Sequence, residues 1–333
     1  MNTRMGSWLA LPFMLFLSGC PDGGGGGLGF ESAGIQVAYV ANSGSGDVSA
    51  YTINPATGAL TAVGSPVALG GASPSSIAVS PNGSFAYLTA SDGVHAFTIN
   101  ASTGALASVT GSPFPAGNTP SAVTVSPNSA FLYVSNQGSN NVSAYTINGT
   151  TGALTQITGP QASPFAAGIL PQAVTVSPNN NFVYVANSGS NAISAFAIEA
   201  SGALTPVVPT LPNLNPTPSG GTTPNGLAIT PNGQFLYVSN GGSSNVTAFS
   251  INGTSGELAA VTGSPFAAGT TPSGITVEPN GRFLYAANGG VSGTVSAYTI
   301  TAGTGVLVPL GAVLGNPFPA GASPSGIATP GRP

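Results

Sequence analysis

Lysine is absent from this 333-residue chain, and charge of either sign is scarce: three Arg, seven Asp and Glu, and one His. With so few cationic side chains, nucleic acid and anionic lipid headgroups are not expected as partners. Low charge combined with 41% hydrophobic residues also excludes a disordered chain, whose composition runs the other way. There is one cysteine, so no intrachain disulfide can form. The single Trp (Trp8) and every Met (Met1, Met5, Met14) lie near the N-terminus. No stretch carries a sustained helical period. What is plentiful is Gly (49) and Pro (30), set between short β-branched and aromatic runs. This points to an all-β domain with many tight turns. A chain of this length can bury a large core without being divided into two domains.

The N-terminus reads Met1-Asn2-Thr3-Arg4, then an apolar stretch to Leu17, then Leu17-Ser18-Gly19-Cys20. A basic start, a short apolar region and small residues at a cleavage point describe a secretory leader, too short to span a bilayer comfortably. Leu-Ser-Gly-Cys resembles the lipobox of bacterial lipoproteins, which implies lipidation at Cys20, membrane attachment through that anchor, and a place in the bacterial cell envelope, periplasmic or surface-exposed. The alternative is an ordinary secretory signal with a free thiol. Residues 1–19 are therefore read as leader, 20–34 as a Gly-rich tether of about 20 Å, and 35–333 as one domain.

That domain repeats itself. Tyr39, Tyr87, Tyr133, Tyr184, Tyr237 and Tyr285 recur at a spacing typical of a four-stranded propeller blade. Each unit has four pieces: "PSAVTVSPN" from Pro120, "FLYVSN" from Phe131, "NVSAYTIN" from Asn141 and "GALTQITG" from Gly152. They read as antiparallel strands A to D. Asn82-Gly83, Asn232-Gly233 and Asn280-Gly281 predict type I′ hairpins between A and B. Six B strands and six A strands can be counted. The chain begins on a B strand and ends on an A-like segment, "SPSGIATPGRP", from Ser323. The expectation is a β-propeller of six four-stranded antiparallel blades, closed by pairing the C-terminal A strand with the N-terminal B strand. A truncated seven-bladed ring is the alternative.

These repeats, "YVSN…NVSAYTIN…TGAL…SPFAAG…PSGITVEPNGRFLY", resemble the lactonase-like β-propeller family. It includes 6-phosphogluconolactonase-type enzymes and YVTN-repeat surface proteins, and the resemblance covers about residues 35–329. It implies a lactonase site in the cleft, with charged residues and a cationic group for a phosphorylated substrate. Members usually have seven blades.

The B–C and D–A loops share one end of a propeller, the usual ligand face. Here they offer amides and hydroxyls: Asn42, Asn136, Asn187, Asn240 and Asn288 close the B strands. Either these form a ring of amides around the channel mouth, or each holds its own loop, as Asn does in turns. Asp47 and Asp92 are the only carboxylates assigned to this face; Glu257, Glu278 and Arg282 fall on the other. Blade 2 departs from the pattern. Ala90 replaces the Asn, the loop is shorter, and Asp92 and His95 lie close together in sequence. They form a candidate acid–base pair, or His95 simply packs where other blades have Ser. The recurring Phe114, Phe165, Phe266 and Phe318 read as packing between blades. No metal site or cofactor is expected, since no His/Asp/Glu cluster has ligand spacing. A monomer that binds a protein, a peptide or a neutral glycan is the leading functional expectation; a lactonase acting on a sugar lactone is the alternative.

Overall fold

The computed structural model describes residues 15–17, 35–158, 163–207, 217–290, 292–311 and 316–327. Cys20 and almost all of the leader and the tether lie outside them. The described chain forms six antiparallel sheets, five of them in the order A-B-C-D along the chain. The A strands are Pro74–Val79, Pro120–Val125, Pro171–Val176, Pro224–Ile229 and Pro272–Val277. They run beside one another as the innermost layer. The B strands are Gln36–Asn42, Phe85–Ala90, Phe131–Asn136, Phe182–Asn187, Phe235–Asn240 and Phe283–Asn288.

The B strands are apolar almost throughout because each of the four inner sheets is sandwiched between two others and each end sheet packs against one. A strand with one wet face would alternate; these do not. Five hydrophobic clusters fill the five interfaces between consecutive blades. The D strands, such as Leu154–Gln156 and Leu258–Ala260, are very short. Their outward residues are exposed, Leu60 and Val308 among them, so it is shortness rather than polarity that limits the outer edge as a template for another strand.

The Ser-Pro-Phe segments do more than lead away from strand D. Phe165–Ala166, Phe266–Ala267 and Phe318–Pro319 are short strands that pair with the start of strand C in their blades, and Phe114 makes a single bridge to Val94. Phe165 is buried and the other three pack at the blade interfaces or rims.

The A–B hairpins differ from expectation. Only one residue in each loop has positive φ: Gly83, Gly233 and Gly281, with Ser129 and Asn180 at the same place in blades 3 and 4. A type I′ turn needs positive φ at both central residues. The cause is the proline before the Asn (Pro81, Pro231, Pro279). Its ring locks φ on the negative side and selects a type I turn followed by a left-handed residue. Gly83 N–H donates to the Ser80 carbonyl across this turn, and Ser80 Oγ accepts from the Phe85 N–H.

The closing strand also differs. The inner edge of the first B strand is held by Leu15–Leu17, with Leu15 opposite Val40, Phe16 opposite Tyr39 and Leu17 opposite Ala38. Pro324–Ile327 forms no ladder with that strand among the described residues.

Candidate functional site

At the end of each typical B strand the Asn is drawn inward. Asn136, Asn187, Asn240 and Asn288 are wholly buried. Asn136 Nδ2 donates to Asn141 Oδ1 (2.8 Å) and Ser143 Oγ (2.9 Å), while its Oδ1 accepts the Gly117 N–H (3.1 Å). Asn187 serves Ser194 and Gly168 in the same way. Asn240 donates to Asn245 and Thr247, and Asn288 to Thr294 and Ser296. Each amide ties strand B to strand C and, in blades 3 and 4, to the D–A loop as well. The D–A glycine is required by contact: a Cβ on Gly117 would lie 2.7 Å from Asn136 Cγ. These side chains point into the fold rather than towards a ligand.

Blade 1 keeps the motif with a charge in it. Asn42 Nδ2 donates to Asp47 Oδ1 (2.6 Å) and Ser49 Oγ (2.8 Å). Asn42 remains half-buried, as does Asp47, where the equivalent Asn136, Asn187, Asn240 and Asn288 are wholly buried.

Blade 2 replaces the motif. Ala90 pairs directly with Gly93, leaving only Ser91 and Asp92 in the loop. Gly93 has a positive φ, and a Cβ there would approach the Phe114 carbonyl oxygen to 2.4 Å. Only glycine fits such a position. His95 stands in the register of Ser143. Its ring is almost fully buried, and Nε2 lies 2.8 Å from Oδ1 of the exposed Asp92. The sequence left open a catalytic pair or a packing histidine. The geometry gives a histidine that is both packed and joined to a solvent-facing carboxylate.

One polar feature was missed. Gln137 Nε2 donates to Gln172 Oε1 (2.7 Å), joining the B–C loop of blade 3 to the A strand of blade 4. Other blades have Ser or Gly where Gln137 stands and Ser or Asn where Gln172 stands, so departure from the repeat was the available signal. Ile169 and Leu170, in the D–A loop beside them, are 56% and 42% exposed. Leu170 adopts a positive φ, a left-handed conformation costly for a bulky side chain. Asn140 Oδ1 holds it there by accepting its N–H at 2.8 Å.

On the opposite face, Arg282 stacks over Phe283 at 5.5 Å, and Glu278 accepts from Asn280. Arg282 is thus remote from the loop face. No group of three potential metal ligands occurs among the described residues.

The family model described as lactonase, seven-bladed β-propeller, matches residues 28–169 and 158–271, well over half of the chain. No curated protein matches the sequence. Among solved structures, the periplasmic gluconolactonase of Pseudomonas aeruginosa is 22% identical, with a TM-score of 0.68, covering 87% of this chain and 84% of that one. A Bacteroides fragilis protein assigned as a 6-phosphogluconolactonase is 21% identical, with a TM-score of 0.63 over 90% and 81%. A Lactobacillus plantarum protein is 20% identical, with a TM-score of 0.68 over 86% and 82%. At these identities the three share the fold.

Proposed function

The chain belongs to the lactonase family of seven-bladed β-propellers, and from that premise we propose that it hydrolyses a small uncharged lactone at its loop face. The observation that carries this reading is the Asp92–His95 pair. It is the one place on that face where a proton-transfer group replaces the structural Asn motif. With Nε2–H donated to Asp92, Nδ1 is the basic nitrogen, and the carboxylate stabilises the imidazolium that forms. Water attacks the lactone carbonyl and passes a proton to His95. The ring C–O bond then breaks, the alkoxide takes that proton, and the product is a hydroxy acid. An uncharged substrate is favoured because the described loop face carries Asp47 and Asp92 but no Arg or Lys. A phosphorylated sugar would therefore meet like charge.

The test is acid release from glucono-lactone and from its 6-phosphate, compared with spontaneous hydrolysis. Acceleration of the neutral lactone, lost in His95→Ala, supports the reading. No acceleration of either would refute it.

A second reading, a binding scaffold for a protein or peptide, is favoured by the exposed Ile169–Leu170 pair on the same face. Capture that weakens in Leu170→Ser, in a protein without lactonase activity, would favour it. In either case the lipobox-like Leu17–Cys20 supports a lipid-anchored protein of the bacterial cell envelope.

A further inference from the structure

The C–D turn recurs in every blade, but its first two residues change. They read Asn54-Pro55, Asn100-Ala101, Asn148-Gly149, Glu199-Ala200, Asn252-Gly253 and Thr301-Ala302. In the four Asn copies the side chain folds back over the turn, and Oδ1 accepts two backbone N–H groups. Asn148 Oδ1 takes those of Thr150 and Thr151, both at 3.0 Å. Asn252 Oδ1 takes those of Thr254 (3.0 Å) and Ser255 (3.1 Å). Asn54 and Asn100 are held alike.

Glycine has no Cβ to crowd its own backbone nitrogen. After asparagine that nitrogen is therefore open to attack the side-chain amide carbon. The chain holds eight Asn-Gly pairs, and the fold restrains six of them. In the A–B turns Gly83, Gly233 and Gly281 commit their N–H groups to the carbonyls of Ser80, Thr230 and Glu278, each at 2.8 Å. Gly241 and Gly289 donate to Thr223 (2.9 Å) and Thr271 (3.0 Å), and the Asn before each is wholly buried. Gly226 is held opposite Ser239 in a strand ladder. Gly149 and Gly253 are different. Their N–H groups have no hydrogen-bond partner among the described residues. Both glycines are exposed, as are Asn148 and Asn252. A Cβ on either glycine would meet nothing within 4 Å.

We propose that Asn148 and Asn252 are sites of self-modification, where the chain converts a side-chain amide to an acid without an enzyme. The Gly149 nitrogen gives its proton to water and bonds to Asn148 Cγ. Negative charge develops on Oδ1, where the Thr150 and Thr151 N–H groups already stand. The Cγ–Nδ2 bond breaks, and Nδ2 takes a proton from water and leaves as ammonia. Water then opens the cyclic imide at one of its two carbonyls. The product is aspartate or, where the main chain now runs through the side chain, isoaspartate. One water enters and one ammonia leaves, with no change of oxidation state. Asn252 reacts through the Gly253 nitrogen in the same way. Asn54 cannot follow, because Pro55 has no N–H. Asn100 is slowed by the methyl group of Ala101.

The modification reaches the packing between blades. The Asn148 carbonyl accepts the Gly152 N–H (2.8 Å), and the Gly152 carbonyl accepts the Tyr87 hydroxyl of the preceding blade (3.0 Å). Asn252, Gly256 and Tyr184 repeat this at 2.8 Å and 2.9 Å. Isoaspartate adds a carbon to the main chain inside these turns. It therefore loosens the joints between blades 2 and 3 and between blades 4 and 5.

The test incubates the purified full chain in neutral buffer, folded and, in parallel, unfolded in urea. Chymotryptic and peptic peptides are followed by mass spectrometry, and isoaspartate is labelled with an isoaspartyl methyltransferase. In the folded chain the peptides holding Asn148 and Asn252 are expected to gain the mass of an amide-to-acid exchange several-fold faster than those holding Asn82, Asn232 and Asn280. In urea that difference is expected to vanish. Gly149→Pro and Gly253→Pro install the residue that blade 1 carries at this place, and each is expected to abolish conversion at its own site only. Gly149→Ala is expected to slow conversion several-fold and serves if the proline variant does not fold. Equal rates at the A–B and C–D turns of the folded chain would overturn the proposal, as would conversion of Asn148 undiminished in Gly149→Pro or Gly149→Ala. The urea midpoint of the parent chain is expected to fall as isoaspartate accumulates. A midpoint that holds despite conversion would support the chemistry and overturn the loosening of the joints.

Discussion

Gly58→Ala and Gly202→Ala, each made in the full chain, place one methyl group on the same backbone conformation. Both glycines have a left-handed φ. An L-residue in that region costs about 1 kcal/mol, so this term is common to both variants. Packing separates them. At Gly58 the added Cβ meets nothing within 4 Å; at Gly202 it would lie 2.3 Å from Phe131 Cδ1 and 2.9 Å from Ile157 Cδ1. Phe131 is an aromatic wedge at the joint between blades 3 and 4, and moving it strains a packed interface by about 1–3 kcal/mol. The Tyr133 hydrogen bond to the Gly202 carbonyl is then at risk, worth about 1 kcal/mol more. The expected losses are about 1 kcal/mol for Gly58→Ala and about 3 kcal/mol or more for Gly202→Ala. Urea unfolding followed by tyrosine fluorescence measures both, with the slope expected to stay constant while the midpoint moves. Equal losses would refute the claim that these glycines are required by blade-to-blade contact rather than by the turn alone.

Three further outcomes are expected. Asn136→Ala should lower stability by about 1–3 kcal/mol, the cost of buried groups left unpaired. The stranded partners are Asn141, Ser143 and Gly117, and an unchanged thermal midpoint would contradict this. Burial pushes the Tyr39 phenol up to about 12, and raises Tyr87, Tyr133, Tyr184 and Tyr237 as well. The folded chain then keeps protons that the unfolded chain loses above about pH 10. Stability should be unaffected by these groups below about pH 10 and fall as pH rises further, read from urea midpoints alongside phenolate absorbance. Asp92→Asn should reduce any lactonase rate while leaving the fold intact; a rate unchanged from the parent chain would exclude Asp92 from the chemistry.

The repeat made the strands legible because each blade needs the same buried pattern, so Tyr133, Tyr184 and Tyr237 could be aligned by eye. The turn type was harder: Asn82-Gly83 suggested one hairpin, and Pro81 imposed another. At the candidate site, the break at Ala90, Asp92 and His95 stood out against the repeat, but spacing along the chain could not show whether the ring and the carboxylate touch. Gln137 and Gln172 are far apart in sequence and meet only because blades 3 and 4 adjoin.

Residue order alone was enough for the all-β class, the six repeated units, the strand order within a blade and the poverty of charge on the loop face. These follow from local patterns and composition, which need no knowledge of distant contacts. It took the folded chain to establish that the Asn amides turn inward and that His95 meets Asp92. Each of those is a competition between groups far apart in the chain or a choice of side-chain direction, and packing between blades settles both.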